Sequence, residues 1–398
     1  MIDNRWKDAT VIIWGSGFLG KDLLHRCIDK GILPVAFVDN SKKLQGTYIE
    51  GIPVLSFPEL CSSQDLSQAR LLLTVRDANS ILEQIGKTLP RENIFFLDDL
   101  YNLDEIPNTW SFLERHKLEA GWYYHASRLT DRILLRTVDF VITERCSLRC
   151  RECSNLMQYY QRPQNYPLEA LKKDFQRLLW VVDEIYEVRL IGGEPFMHPQ
   201  MQEILDFLNE KSQVHRVCIY TNGTILPNDD ILKTIAAGGK IWFSVSDYGN
   251  LSRNLKELLA KLDAYGIGYE HKPVDYWTRC ASFKRHRRSK EENRRVFYEC
   301  CAKDLLTFQE GRLYPCPFSA NATQLHAIPD FHGDYLDLRE DRPREAFRHD
   351  MEKMREESEF YQACDYCLGR PSVTFVKEED KIPPHEQTKQ PLPYEKLF

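Results

Sequence analysis

Short apolar runs alternate with amphipathic segments over the first part of the chain. Four of these runs predict buried strands, at residues 11–14, 34–38, 71–75 and 94–97. Between the first two runs, apolar positions recur with helical spacing to about residue 30. Because strands that alternate with helices form a parallel sheet covered on both faces, residues 1–105 are predicted to be an α/β domain.

A second alternating series begins at residue 138. Its apolar runs predict strands at residues 138–143, 188–191, 214–220 and 241–246. The first helix of this series is predicted over residues 168–185, where leucines and a phenylalanine recur at helical spacing. Repeated β/α units form an open or partial barrel with its active site at the carboxyl ends of the strands. We assign residues 137–275 to this barrel and residues 106–136 to a helical linker.

The pattern changes beyond residue 275. Residues 305–314 predict a β-hairpin with Gly311 on its turn. Residues 276–372 also contain many cysteines, and they are predicted to form a separate domain. The proline-rich residues 373–398 are predicted to be a loosely packed C-terminal tail.

The composition is that of an ordinary soluble protein, with 42% apolar and 28% charged residues. A net charge of −6 gives no reason to expect a nucleic acid partner. The first residues lack the basic and apolar regions of a signal peptide, and no stretch has the length of a membrane span. We therefore expect a cytoplasmic protein that binds neither nucleic acid nor membrane.

Twelve cysteines in a chain without an export signal favour metal ligation over a disulfide framework. One group consists of Cys146, Cys150 and Cys153. A second group consists of Cys300, Cys301, Cys316, Cys364 and Cys367. The remaining cysteines are scattered and are predicted mostly to be small buried residues, namely Cys27, Cys61, Cys218 and Cys280.

The first cysteine group has the spacing CxxxCxxC and follows a predicted strand. Thiolates are soft ligands, and three of them hold three corners of a 4Fe–4S cubane while one iron stays open. A structural zinc site needs four nitrogen or sulfur ligands, and His198 and His215 lie far along the sequence. The spacing resembles the signature of the radical S-adenosylmethionine (SAM) superfamily, in which SAM occupies the open iron.

Motifs at the ends of the following strands extend this resemblance. Family members bind the SAM amino group at a motif like Gly192-Gly193-Glu194-Pro195. Two glycines allow close backbone approach, and a carboxylate accepts from an ammonium group. The resemblance covers residues 138–270 and implies a partial (β/α)6 barrel. It also places four further side chains at SAM, those of Thr221, Asn222, Ser244 and Ser246.

The resemblance implies a radical reaction. A flavodoxin- or ferredoxin-type partner reduces the 4Fe–4S cluster, SAM is cleaved to methionine and a 5′-deoxyadenosyl radical, and this radical takes a hydrogen atom from the substrate. One residue departs from the family pattern. Glu152 stands before the last cysteine, where the family has an aromatic residue near adenine. The usual adenine contact must therefore be replaced or absent.

The second cysteine group resembles the auxiliary-cluster pattern of SPASM/twitch domains. Nine residues separate Cys301 from Gly311, and four more precede Cys316. No cysteine follows the CxxC pair at 364–367, so the resemblance implies a twitch domain with one auxiliary 4Fe–4S cluster. The implied ligands are Cys301, Cys316, Cys364 and Cys367. Cys300 is an alternative to Cys301 as a ligand, and a zinc knuckle is an alternative to this second cluster.

A fully ligated auxiliary cluster has no open iron and is suited to electron transfer. This arrangement resembles twitch-type dehydrogenases that oxidise an aminocyclitol alcohol. The predicted function is therefore that of an oxidoreductase in carbohydrate biosynthesis, acting on a sugar, an aminocyclitol or a nucleotide-linked sugar. Epimerisation, with Cys280 or Cys300 as hydrogen donor, and peptide modification stay open. A non-enzymatic zinc- and nucleotide-binding protein is the remaining alternative.

The first domain carries a glycine motif, GxGxxG, between a strand and a helix. In a Rossmann-like fold such glycines admit a diphosphate at the helix N-terminus, and an acid ending the next strand binds ribose. Residues 35–54 resemble the N-terminal domain of PglD-type sugar acyltransferases, which binds a nucleotide-activated sugar. We expect such a ligand here, although a purely structural turn and NAD binding stay open. The predicted nucleotide-binding residues are Gly15, Gly17, Gly20 and Asp39.

The strongest basic run of the chain covers residues 284–290. Two glutamates follow it directly, which is typical of a solvated helix face. Its position between the barrel and the second cysteine group also permits a phosphate-binding role. Both interpretations stay open at this point.

Overall fold

A computed structural model divides the chain into two compact units, Met1–Asp131 and Arg132–Phe398. The residues that it describes are 9–74, 78–90, 93–96, 132–279, 281–303, 305–356, 358–371, 376–384 and 386–397. Most of the predicted linker over 106–136 and Cys280 lie outside these residues. Among the described helices, none is both long and apolar enough to cross a bilayer.

The first unit contains a six-stranded sheet in the order β3-β4-β2-β1-β5-β6. Neighbouring strands are parallel except for the antiparallel pair of β3 and β4 at one edge. Successive residues of β1 enter different apolar cores, Ile12 one and Ile13 the other, so both faces of the sheet are covered. The strands are β1 Val11–Trp14, β2 Ala36–Val38, β3 Tyr48–Ile49, β4 Ile52–Leu55, β5 Arg70–Leu73 and β6 Ile94–Phe96, and the helices are α1 Phe18–Asp29, α2 Phe57–Ser63 and α3 Ala78–Ile85.

The second unit contains an eight-stranded sheet in the order β11-β10-β9-β8-β7-β13-β14-β15 and a separate pair, β12 with β16. Its strands are β7 Leu134–Thr143, β8 Glu184–Gly192, β9 Val214–Thr221, β10 Ile241–Asp247, β11 Tyr269–Pro273, β12 Trp277–Thr278, β13 Leu306–Gln309, β14 Arg312–Tyr314, β15 Leu336–Asp337 and β16 Lys381–Ile382. Its helices are α4 Leu168–Val181, α5 Met201–Asn209, α6 Asp229–Gly238, α7 Leu255–Ala264, α8 Lys290–Glu299, α9 Pro317–Gln324 and α10 Arg344–Glu356. The six strands from β11 to β13 are mutually parallel. The predicted α/β class with a parallel sheet is confirmed.

The register of these parallel strands gives the sheet one apolar and one polar face. On one face, paired positions hold Phe308, Phe140, Leu190, Ile219 and Phe243, all buried in the main apolar core. The adjacent paired positions hold Thr307, Asp139, Arg189, Cys218 and Trp242, which we call the polar row. Because successive side chains of a strand point to opposite faces, the polar row lies on the face opposite the apolar core.

Several element boundaries differ from the sequence-based expectation. Strand β7 begins at Leu134, inside the predicted linker. Helix α4 ends at Val181 and not at the predicted residue 185, which belongs to β8. The predicted hairpin is present as β13 and β14, but β13 also pairs with β7 and so joins the main sheet. Residues 386–397, predicted to be loosely packed, form backbone hydrogen bonds with the cysteine loop and with residues 158 and 326.

Candidate functional site

Four segments that carry the predicted chemistry meet at the carboxyl edge of the second sheet. The cysteine loop follows β7, Gly193 follows β8, Asn222 follows β9 and Tyr248 follows β10. These four strands are parallel neighbours, so their carboxyl ends lie along one edge. Active sites of parallel α/β barrels are built at this edge.

The three cysteines of the loop lie close to one another. Burial raises the pKa of the Cys146 thiol, and the neighbouring Cys153 raises it further. The same two causes raise the pKa of Cys150 to about 11. Burial also raises the pKa of Cys153. The loop therefore holds three protonated thiols at neutral pH, which must lose their protons when they bind metal.

The two glycines after β8 allow the cysteine loop to lie against that strand. A Cβ atom added to Gly192 would lie 2.0 Å from the carbonyl oxygen of Thr143, and one added to Gly193 would lie 1.9 Å from that of Arg145. The backbone N–H groups of Gly193 and Glu194 donate to those same carbonyls at 2.9 and 2.8 Å. The glycines are thus needed for contact between the strand end and the loop.

The carboxylate of Glu194 organises the neighbouring strand end. It accepts hydrogen bonds from Thr221 Oγ1 at 2.9 Å, from the Asn222 N–H at 2.8 Å and from the Phe196 N–H at 3.4 Å. Its burial raises its pKa to about 7. Pro195, the last residue of the motif, is buried at the start of a short 3-10 turn. Glu194 therefore connects β8 to β9 and retains lone pairs for one further donor.

Asn222 extends this network to the cysteine loop. Its amide Nδ2 donates to Ser147 Oγ at 3.1 Å and lies 3.7 Å from Cys146 Sγ. Its Oδ1 accepts from the Thr224 N–H at 3.0 Å, which fixes the orientation of the amide. Glu194, Thr221 and Asn222 thus form one network that reaches the loop.

The two predicted serines of β10 differ in their contacts. Ser244 is buried, and its hydroxyl donates to Glu270 Oε1 on β11 at 2.8 Å. Ser246 lies two residues further on, on the same face of the strand, and its backbone carbonyl accepts from Ser252 Oγ at 3.3 Å. Ser246 is thus nearer the carboxyl edge, and Ser244 is deeper on the polar face.

An aromatic ring lies beside the cysteines, although none stands inside their motif. Glu152 pairs with Arg279, with 3.6 Å between Oε1 and Nε. Tyr248 directly follows β10, and burial raises the pKa of its hydroxyl. The charges of the three cysteines and of Glu194 are close enough to raise this pKa further. No sequence motif indicates Tyr248, because its proximity to the cysteines depends on the packing of β10 against β9.

The donor set of the loop fits a 4Fe–4S cluster. Three soft thiols converge, and amide N–H groups of Asn222 and Gln387 face two of the sulfurs. Among the described residues, no three Cys, His, Asp or Glu side chains are grouped closely enough to hold one metal ion. The ligands of a cubane bind different irons, whereas the ligands of a structural zinc site all bind one ion.

The polar row contains functional candidates that sequence reasoning missed. Arg189 donates to Asp139 Oδ1 through Nε at 2.5 Å and to the Tyr220 hydroxyl at 3.3 Å. Asp139 is 1% exposed, and its Oδ2 has no hydrogen-bond partner among the described residues. Burial raises the pKa of Asp139, and the Arg189 charge opposes this rise. A signal existed, because Asp139 and Arg189 each stand between two apolar residues of their strands.

Two further carboxylates lie on the polar face. Glu187, two residues before Arg189, is 6% exposed and accepts from the Trp242 indole N–H at 3.0 Å. Its burial raises its pKa to about 7. Glu270 accepts from Ser244 and pairs with Lys272 at 2.6 Å. This face therefore carries buried hydrogen-bonding groups, and burial raises the pKa of two of its carboxylates, Asp139 and Glu187.

A cavity of about 450 Å³ is lined by two arginines that interact with the cysteine loop. Its lining includes Arg279, which pairs with Glu152 of the loop, and Arg370, whose charge acts on Asp139 and on Cys153. Both positive and negative side chains line it, including Glu299. Ligand pockets for small molecules have this order of volume.

The second cysteine group surrounds a mostly apolar cavity. Cys300, Cys316, Cys364 and Cys367 line it, together with Phe318 and Tyr361. Cys301, the predicted first ligand, is exposed and does not line the cavity. The spacing to Gly311 favoured Cys301, but helix α8 ends at Glu299 and the next residue, Cys300, lines the cavity with the other thiols. A hydrogen bond with Cys301, burial and the charge of Cys316 all raise the pKa of Cys300.

The basic run at 284–290 supports the CxxC loop of this group. Arg288 Nη1 donates to the carbonyls of Cys364 and Cys367, both at 2.9 Å. The Arg288 backbone N–H donates to Asp365 Oδ1 at 2.9 Å. Part of the run is therefore neither a solvated helix face nor a free phosphate site, because it holds the loop between two predicted ligands.

The glycine motif of the first unit forms a tight strand-to-helix turn. Gly15 has a φ of +106°, and a Cβ atom added to Gly20 would lie 1.8 Å from the Gly15 carbonyl oxygen. A Cβ atom at Gly17 would meet nothing within 4 Å. Asp39 accepts from the backbone N–H of Ser16 at 2.9 Å. The turn has Rossmann-like geometry, with Asp39 at the turn and open space at Gly17.

Residues 140–246 match the family model described as the Radical SAM superfamily. The matched segment contains the cysteine loop, the glycine pair and the ends of β8 and β9. The second unit therefore carries a radical SAM domain. The cofactors predicted for this domain, a 4Fe–4S cluster and SAM, are confirmed by the match.

Two curated relatives share part of the chain. GTP 3′,8-cyclase of Chlorobaculum tepidum is 33% identical over 101 residues, which cover 25% of this chain and 29% of that protein. The antilisterial bacteriocin subtilosin biosynthesis protein AlbA of Bacillus subtilis is 32% identical over 97 residues, which cover 24% of this chain and 20% of that protein. The chain thus spans less than a third of the length of either relative.

Solved structures align with this chain at low similarity. BtrN in complex with AdoMet and 2-DOIA aligns with a TM-score of 0.33 at 15% identity, covering 63% of this chain and 98% of that chain. SuiB of Streptococcus suis bound to the precursor peptide SuiA aligns with a TM-score of 0.29 at 14% identity, covering 49% of this chain and 45% of that chain.

Proposed function

We propose that this protein is a radical SAM enzyme that dehydrogenates a sugar, an aminocyclitol or a nucleotide-linked sugar. One observation carries the proposal: buried polar side chains follow the same strands whose carboxyl ends meet at the three cysteines. A hydroxyl-rich substrate needs such hydrogen-bonding groups close to SAM. The relatives are named for a GTP cyclase and for bacteriocin biosynthesis, so their names leave the substrate open.

The cysteine loop and the strand ends are proposed to hold the first cluster and SAM. Cys146, Cys150 and Cys153 are the proposed ligands of this 4Fe–4S cluster. When bound, the two groups supply a 5′-deoxyadenosyl radical that takes a hydrogen atom from the substrate. Tyr248 is proposed to supply the aromatic contact that Glu152 does not. The proposed SAM-binding residues remain Gly192, Gly193, Glu194, Pro195, Thr221, Asn222, Ser244 and Ser246.

Dehydrogenation of an alcohol removes one hydrogen atom, one proton and one electron from the substrate. Asp139 and Glu187 are the proposed proton acceptors, because both are buried carboxylates whose pKa is raised. The unpartnered Oδ2 of Asp139 favours this residue. Arg189 fixes the other oxygen of Asp139 and is proposed to keep the carboxylate oriented.

Cys300, Cys316, Cys364 and Cys367 are proposed to hold the auxiliary 4Fe–4S cluster, which would supply an acceptor for the electron. Their shared apolar cavity and the hydrogen bonds from Arg288 to the CxxC loop support this assignment. Replacing Cys301 by Cys300 changes the predicted ligand set in one position. A twitch-type domain is the corresponding proposal for this region.

Radical epimerisation is a second candidate, and the position of Cys218 favours it. This thiol is fully buried and lies in the polar row between Arg189 and Trp242. A thiol beside the substrate could return a hydrogen atom to the substrate radical, and the thiyl radical so formed would regain one electron from a reduced cluster and one proton from solvent. An epimerase would incorporate solvent deuterium into its product through Cys218, and Cys218→Ala would abolish product formation. A dehydrogenase would release a ketone, and Cys218→Ala would leave its turnover nearly unchanged.

For the first unit we propose binding of a nucleotide-linked sugar at Gly15, Gly17, Gly20 and Asp39. The open space at Gly17 and the position of Asp39 at the same turn support it. Isothermal titration of the whole protein with UDP-sugars, compared with UDP alone, measures this binding. Gly17→Ile should weaken it at least tenfold, and equal affinity in the two proteins would contradict the proposal.

Anaerobic reconstitution tests the proposed enzyme. The protein should bind about eight irons per chain and form 5′-deoxyadenosine from SAM when a strong reductant is present. With candidate sugars deuterated at each carbon, deuterium should appear in 5′-deoxyadenosine for one position. Stoichiometric zinc without SAM cleavage would instead identify a non-enzymatic protein.

Two cysteine variants separate the roles of the two groups. Cys150→Ala should abolish SAM cleavage while about half of the iron remains. Cys364→Ala should also lose about half of the iron, but it should retain SAM cleavage and lose substrate turnover. Loss of SAM cleavage in both variants would contradict separate roles.

A further inference from the structure

A C-terminal segment, residues 386–397, pairs with the cysteine loop, and we call it the strap. The Arg151 N–H donates to the Glu386 carbonyl at 2.9 Å, and the Thr388 N–H donates to the Arg149 carbonyl at 2.9 Å. Cys150 and Gln387 are opposed between these two bonds as an antiparallel bridge. The strap therefore acts as a short strand beside the middle cysteine of the loop.

The side chain of Gln387 contacts the same cysteine. Its Oε1 accepts from the Arg149 backbone N–H at 2.5 Å, and its Nε2 donates to Cys150 Sγ at 3.2 Å. Since a backbone N–H can only donate, Oε1 must face Arg149 and Nε2 must face the sulfur. The orientation of the amide is thus determined by the loop backbone, and an N–H group is aimed at Cys150.

Further contacts hold the strap on both sides of Gln387. Arg151 Nη1 pairs with Glu386 Oε2 at 3.1 Å. Beyond Gln387, the Leu392 N–H donates to the Gln158 carbonyl at 2.7 Å, and the Tyr394 hydroxyl donates to the Leu325 carbonyl at 3.1 Å. The Tyr394 ring also packs 5.8 Å from that of Tyr159. Gln387 is therefore held between anchored positions.

We propose that Gln387 is a positioning residue that sets the reduction potential of the cluster bound at Cys150; this inference rests on the proposed function. A hydrogen bond to a ligand sulfur stabilises negative charge, and the reduced cluster carries one more electron than the oxidised cluster. The Nε2–H group therefore favours reduction. Removing it should shift the potential of this cluster to more negative values and leave the other cluster unchanged.

Potentiometric titration followed by electron paramagnetic resonance (EPR) measures this effect on reconstituted full-length protein. The first cluster is identified by its EPR change on adding SAM, because only this cluster has an open iron. Gln387→Leu should lower the ratio of reduced to oxidised first cluster about tenfold at a fixed potential, equivalent to about 59 mV. Gln387→Glu, which places a carboxylate oxygen at the sulfur, should lower this ratio further. The matched control is Lys389→Ala, because the Lys389 backbone carbonyl, which accepts from Arg149 Nη1, is retained in alanine.

The outcomes separate this inference from the proposed function. If wild-type protein forms no SAM-sensitive cluster, the proposed function fails. If the cluster forms and Gln387→Leu titrates like Lys389→Ala, Gln387 does not set the potential and the inference is overturned. If Gln387→Leu does not assemble the cluster, Gln387→Glu decides, since it retains the acceptor for the Arg149 N–H. A potential equal to that of wild type in Gln387→Glu would also overturn the inference.

Discussion

Substituting Gly193 by alanine perturbs the contact between β8 and the cysteine loop. The new Cβ would lie 1.9 Å from the Arg145 carbonyl oxygen, 2.3 Å from its carbonyl carbon and 2.8 Å from the Cys146 nitrogen. All three atoms belong to the backbone, so no side chain can rotate away. The backbone of the loop must therefore move at Arg145, the residue that precedes the first cysteine of the motif.

The size of the effect follows from this distance. Ordinary contact between a Cβ and another heavy atom needs roughly 3.4 Å, so the carbonyl of Arg145 must retreat by about 1.5 Å. That movement lengthens the 2.8 Å hydrogen bond from the Glu194 N–H beyond its useful range. Overpacking costs about 1–3 kcal/mol and a lost hydrogen bond about 1 kcal/mol. We expect Gly193→Ala to lose about 2–4 kcal/mol of unfolding free energy.

Denaturant unfolding of the iron-free protein and iron content after reconstitution measure the two consequences. Gly193→Ala should unfold at lower denaturant and bind less iron, because Cys146 is displaced from the other thiols. Gly333→Ala is the matched control, since its Cβ would meet only the Gln362 amide, at 3.9 Å. Wild-type stability and iron content in Gly193→Ala would refute the argument that close approach at Gly193 holds the loop.

Three further predictions concern other groups. Cys300→Ala should lose about half of the bound iron whereas Cys301→Ala should retain it, and the reverse result, by iron analysis, would restore the ligand set favoured by spacing. Arg288→Met should release iron from the second group faster during chelation, because the Cys364 and Cys367 carbonyls lose their donor; unchanged release would contradict this support. The pKa of Glu187 is raised from 4.5 to about 7 by burial, so the folded state binds more protons than the unfolded state between these values. Stability should therefore fall by up to roughly 3 kcal/mol as pH rises from 4.5 through 7, and Glu187→Gln should flatten this fall in pH-dependent unfolding.

The alternating elements could be predicted because each strand and helix has its own hydrophobic period. The strands at Val11–Trp14 and Val214–Thr221 were located to within a residue or so. Boundaries failed where two elements adjoin without a breaker, as at Val181 and Glu184, because apolar residues of both periods run together. Pairing of β13 with β7 brings together residues more than 160 positions apart, and no local pattern specifies it.

The site was predictable where its chemistry is local in sequence. CxxxCxxC and the glycine pair are short motifs, and the fold brings them to one edge. The polar row could have been found from the sequence, since Asp139 and Arg189 are charged residues that each stand between two apolar residues of a predicted strand. The sequence alone does not favour the proposed ligand Cys300 over Cys301, because that proposal depends on where helix α8 ends.

The cysteine loop depends on support from three distant parts of the chain. Backbone contact comes from Gly193 on β8, an amide from Asn222 after β9, and a second amide from Gln387 on the strap. Within the loop, the Cys153 and Leu156 N–H groups donate to carbonyls three residues earlier, which fixes local turns but not their position in the fold. The supports contact different residues of the loop, so we expect the thiols to come together only when the sheet edge and the strap have both formed. The iron-free site is therefore a product of tertiary folding, and binding of the cluster should stabilise the second unit as a whole.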